Sequence, residues 1–106
     1  MRDAVRQLVE KPGLILSDSA SIETVEWAEH LIAAFEEPAQ DDEAAALLEL
    51  LSRSDETSCF GLNGTILHFI ETAPGWPIWP VLKEAQGEWP GRLRDRLANA
   101  GQYPPE

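Results

Sequence analysis

The chain of 106 residues has one cysteine, eight bases against nineteen acids, and no long apolar run. Cys59 has no cysteine to pair with, and no histidine or second cysteine stands at metal-ligand spacing from it. That excludes a disulfide scaffold and a structural zinc site, and the expected compartment is a reducing one. No segment approaches the roughly 20 consecutive apolar residues of a membrane span. Met1 to Gly13 mixes Arg2, Asp3, Arg6, Glu10 and Lys11 with scattered apolar residues, unlike the hydrophobic stretch of a signal peptide. A soluble cytoplasmic protein is expected. A glycine-rich phosphate loop, a paired-cysteine motif and a nucleophile elbow are also missing, so the sequence offers no support for the enzymes built on them.

The scarce bases are unevenly placed. From Asp18 to Glu56 there are twelve acids and one base, Arg53, while the remainder balances at seven of each, so the formal net charge of −11 is local. An acidic half joined to a neutral half gives a field with a direction, able to orient a basic partner. The same field repels a polyanion, which argues against nucleic-acid binding. Arg92, Arg94 and Arg96, with Asp95 between them, read as a solvated helix face. An apolar fraction of 43% argues for a folded chain, and the length suits one domain over residues 1–106.

The periodicity is helical throughout. A first helix over about Asp3 to Glu10 stops before Pro12-Gly13, and Leu14-Ile15-Leu16 reads as a buried connector. Ser17 to Ser21 offer N-caps for a second helix to about Glu37, closed by Pro38. Its Val25, Ala28, Leu31, Ile32 and Phe35 share a face, with Glu23, Glu26, His30 and Glu37 opposite. Asp41-Asp42 begin a third helix to about Arg53, with Ala44, Leu47, Leu48 and Leu51 inward and a Glu49–Arg53 pair on the surface. A fourth, from Ser54–Thr57 to about Ala73, is apolar round most of its circumference and reads as the central helix. Its Gly61 and Gly64 predict a close backbone approach, with the His68 ring filling the gap. Trp76, Trp79 and Trp89 read as aromatic locks around a proline-rich corner, followed by helices over about 78–86 and 90–101. The fold class is all-α: about six helices in antiparallel hairpins stacked in a HEAT-like manner, with a compact orthogonal bundle as the alternative.

Catalytic constellations are not evident. On one helix Cys59 and His68 would lie about 13 Å apart along the axis and point apart, so they form no thiol and base. Cys59 reads as a small buried hydrophobe. Glu26 and His30 share a face at i, i+4 but have no third metal ligand. Asn63, between apolar rows, reads as satisfying a loop or helix end. No catalytic residue, metal or cofactor is assigned, and the expectation is not an enzyme. Trp27 falls about 120° from the centre of the second helix's apolar stripe, near Glu23 and Glu26, where it reads first as packing at the core edge against Leu31 and second as an aromatic ringed by charge, which suits a binding hot spot. The candidate partner-binding residues are Glu23, Glu26, Trp27, His30, Glu37, Asp41, Asp42 and Glu49.

From Leu47 to Trp76 the chain carries a Leu-Leu-rich helix, Asp55-Glu56, Cys59-Phe60-Gly61-Leu62 and His68-Phe69-Ile70-Glu71. This resembles a family of small, all-helical immunity proteins found beside bacterial polymorphic toxins and contact-dependent inhibition systems. The resemblance covers about thirty residues and implies stoichiometric capture of one cognate toxin domain, with Phe60, Gly61, His68 and Glu71 as fold markers. It assigns no toxin-contact residue. The alternative reading is an acidic adaptor or scaffold module with several protein partners.

Overall fold

Six helices occur among the residues described by the computed structural model of the chain, which are 1–54 and 61–104: α1 (Asp3–Val9), α2 (Ile22–Ala33), α3 (Asp41–Ser52), α4 (Leu62–Ile70), α5 (Trp79–Leu82) and α6 (Glu88–Asn99). No strand occurs among them, as the all-α reading expects. Cys59, Phe60 and the expected start of the fourth helix lie outside the described residues.

The third helix, not the fourth, is the central one. Four leucines at positions 47, 48, 50 and 51 span about 160° of its circumference, and all four are fully buried together with Ala44. Such a helix can be covered only by neighbours on several sides, and α3 packs against α1, α4, α5 and α6. Hairpins α1/α2 and α3/α4 both form, but with α3 touching four helices these contacts give no support to a HEAT-like stack. The buried apolar side chains form one cluster, on which Trp76 and Trp79 pack half-buried and Trp89 buried, as the aromatic corner predicts.

Several boundaries fall short of expectation for local reasons. α2 ends at Ala33 because Ala34 and Phe35 close it with tight bonds to the Leu31 and Ile32 carbonyls, and Pro38 then disfavours helix at Glu37. The freed backbone finds partners elsewhere: Arg2 Nη2 donates to the Pro38 carbonyl at 2.9 Å, and Ala39 N–H donates to Thr72 Oγ1 at 2.8 Å. α5 has only four residues and follows Ile78, whose left-handed φ of 42 bends the chain into it. α6 begins at Glu88, two residues before Pro90, which stands in the first turn where no N–H is needed.

Three side-chain expectations need correction. His68 does not fill a gap; its side chain is 74% exposed, with Nδ1 3.6 Å from Glu71 Oε1. A Cβ at Gly61 or Gly64 would meet nothing within 4 Å, so no described backbone approaches there; Gly61 serves instead as the left-handed entry to α4, at φ 87. The arginines of α6 are not a uniformly solvated face. Arg94 Nη1 donates to the Leu82 and Ala85 carbonyls at 2.9 and 2.7 Å, Arg96 pairs with Glu71 at 3.2 Å, and Arg92 pairs with Glu88 while lying over the Trp89 ring. Asn63 does satisfy a loop: its Nδ2 donates to the Leu16 carbonyl at 3.1 Å, fixing the 14–16 connector in which Leu14 and Leu16 are buried and Ile15 faces out.

Candidate functional site

The described acids of the Asp18–Glu56 window, which leave out Asp55 and Glu56, divide into those the fold uses and those it leaves outside. At the start of α3 the fold uses three in succession. Asp41 Oδ1 accepts from Gly75 N–H at 2.8 Å, and a side chain at residue 75 would displace the carboxylate from this bond. Asp42 Oδ2 lies 3.1 Å from the Met1 ammonium, and its Oδ1 accepts from Glu43 N–H. Negative side chains also suit the first turn of a helix, where unpaired N–H groups leave a partial positive charge.

Glu43 is the residue the sequence reading missed. Its side chain is completely buried, and its two oxygens accept four hydrogen bonds: from Arg2 N–H at 3.0 Å, Arg2 Nε at 3.2 Å, Arg2 Nη2 at 2.7 Å and Gln40 N–H at 2.8 Å. Burial pushes its carboxyl pKa up, but the Arg2 side chain, the two backbone donors and the Arg2 charge outweigh burial and hold it below the usual carboxylate range. The only sequence signal was its place three residues after Gln40, the position from which a glutamate reaches back to the N-cap N–H.

On α2 the acids stand differently. Ser21 caps the helix, its hydroxyl accepting from Thr24 N–H at 3.2 Å, and the buried Ala28, Leu31 and Ile32 fix which side faces inward. Glu23, Glu26, Glu29 and His30 are then all exposed, and none has an ion-pair partner among the described residues. The spacing i, i+3, i+4, i+7 places Glu23, Glu26, Trp27 and His30 along one side of the helix. Trp27 is half-buried against the core, and Lys11 Nζ lies 5.6 Å from its ring centroid, so this aromatic already holds one cation of its own chain.

The eight candidate residues therefore do not form one patch. Glu23, Glu26, Trp27 and His30 share the outer side of α2, while Asp41 and Asp42 are engaged by the fold at the α3 N-terminus. Glu37, in the α2–α3 connector, lines a cleft of about 270 Å³ with Phe35, Thr65 and His68. Glu49 is exposed on α3 and makes no ion pair with Arg53 among the described residues; it edges a wider groove of about 600 Å³ against α5. No group of three or more His, Cys, Asp and Glu side chains that could hold a metal occurs among the described residues, and no helix is long and apolar enough to cross a membrane.

In comparisons with models of known families, with curated proteins and with solved structures, nothing matches this chain.

Proposed function

We propose that this chain is an immunity protein of the bacterial polymorphic-toxin type: a cytoplasmic inhibitor without catalytic activity that captures one cognate toxin domain through its acidic surface. One observation carries this reading. Once Asp41, Asp42 and Glu43 are assigned to the fold, an unpaired set of acids remains on the outer side of α2. Neighbouring like charges at Glu23–Glu26 and Glu26–Glu29 each cost an isolated helix about 0.2–0.5 kcal/mol, and no ion pair among the described residues offsets that cost. A cationic counterpart would.

A toxin that cuts nucleic acid, or that handles a phosphate-bearing metabolite, needs a basic cleft. An acidic helix can enter such a cleft and exclude the substrate, and its field raises the encounter rate above the about 10⁵–10⁶ M⁻¹s⁻¹ of unsteered docking. Half-buried Trp27 supplies apolar area at the edge of the charge, where hot spots concentrate. Inhibition then needs no chemistry from this chain.

The test is co-expression with the C-terminal domain of a large secreted protein encoded beside its gene. Growth should be restored by the wild-type chain and not by a Glu23→Lys/Glu26→Lys/Glu29→Lys variant with unchanged helical circular dichroism. Protection by the variant equal to the wild type would remove α2 from the interface. Failure of the wild type to neutralise the domain, or its recovery with several unrelated cellular proteins, would favour an adaptor instead.

A further inference from the structure

A wide groove between α3 and the α5 segment lies away from the outer side of α2. Its floor is Ala45 and Ala46 of α3 with Val81 and Ala85 of the α5 segment, and Glu49 and Glu84 stand on its rim, giving a trough of about 600 Å³. It exists because α5 is too short. Four helical residues cannot cover a twelve-residue neighbour, so among the described residues this side of α3 stays partly open, with Ala45, Ala46, Glu49 and Ser52 along it. The i, i+4, i+7 row Ala45–Glu49–Ser52 runs about 10 Å along the axis, two turns of helix. Both glutamates are exposed and without an ion-pair partner among the described residues.

We infer that this groove docks an amphipathic helix of a partner protein, one with small or medium apolar residues along its inner stripe and arginine or lysine on its flanks. The alanines allow close backbone approach and the trough accepts the apolar stripe. The rim carboxylates select cationic flanks, whose methylene stems add apolar contact beside them. The inference deepens the immunity reading by naming the segment of the toxin that is gripped. It rests on that reading for the partner's identity and not for the groove's specificity.

The probe is a peptide of about 18 residues, long enough to hold helix in water, with Leu and Ala on one side and Arg on the flanks; an otherwise identical peptide has Glu flanks. Titration into ¹⁵N-labelled chain should give saturable amide shifts at 45, 46, 49, 52, 81, 84 and 85 with the Arg peptide and none with the Glu peptide. Ala46→Trp, which fills the trough, and Glu49→Lys/Glu84→Lys, which alters only exposed side chains, should each weaken binding on the order of tenfold. Shifts confined to α2, or binding by both variants as tight as that of the wild type, would overturn the groove while leaving the immunity reading intact. Groove binding in a chain that neutralises no toxin would leave the groove and overturn that reading.

Discussion

Replacing Glu43 by Gln tests how the fold holds the one completely buried carboxylate among the described residues. The side chain accepts four hydrogen bonds, two of them from the Arg2 guanidinium. Glutamine has nearly the same shape, but one accepting oxygen becomes an NH₂ that faces donors, and the charge opposite Arg2 disappears. Hydrogen bonds to charged groups contribute about 1.5–3 kcal/mol each. Because the Arg2 side chain is 34% exposed and can be rehydrated, the net loss is smaller than the sum, about 2–4 kcal/mol at neutral pH. In a domain of this size that lowers Tm by about 10–30 °C, a large share of a total stability of about 5–15 kcal/mol. The pH dependence separates charge from shape. The folded carboxyl titrates below its ordinary 4.5, so its contribution is fully present above that value and is lost as pH falls through the lowered folded value. Urea unfolding followed by circular dichroism should therefore show a wide gap between wild type and variant at pH 7 that closes toward pH 3. A gap under about 1 kcal/mol at pH 7, or one that persists unchanged in acid, would refute the assignment.

The glycines of the chain should respond in opposite directions. Gly87 has φ 102, and a Cβ there would lie 2.9 Å from the Ser52 carbonyl oxygen, so Gly87→Ala should cost about 1–3 kcal/mol by thermal unfolding. Gly64→Ala, at a helical position with open space around it, should instead stabilise by about 0.5–1 kcal/mol. Arg94→Met removes the donor to the Leu82 and Ala85 carbonyls; it should cost about 1–2 kcal/mol and speed amide exchange over residues 81–86 more than over α3, whereas uniform exchange would show that Arg94 does not close α5.

Local chemistry was legible in the sequence, and pairing at a distance was not. Ser21 as the cap of α2, Asp41 as the start of α3 and the inward rows Ala28–Leu31–Ile32 and Ala44–Leu47–Leu48–Leu51 follow from capping and periodicity, and they stand in the structure. The centrality of α3 did not follow. Leu50 completes its coat of leucines, but the length and apolar breadth of the next segment outweighed that sign. Helix ends misread at Glu37 and Gln86 were decided by tight turns at Ala34 and Ala85 and by tertiary capping from Arg94. The acidic window illustrates the limit best. Counting charge treats Asp41, Asp42, Glu43, Glu23 and Glu26 alike, yet the first three meet Gly75, Met1 and Arg2, residues 34 to 41 positions away in sequence. Only the folded chain separates acids that hold α3 in place from acids on α2 that face outward with no ion-pair partner among the described residues.

Those outward acids are central to the proposed function, and the most direct measurement is the association rate of the purified chain with the proposed toxin domain as ionic strength rises. Steering by the outer side of α2 predicts fast association at low salt that falls steeply as screening sets in, and a Glu23→Lys/Glu26→Lys/Glu29→Lys variant with a slower rate and a flatter salt dependence. A rate and salt slope unchanged by that charge reversal would contradict it.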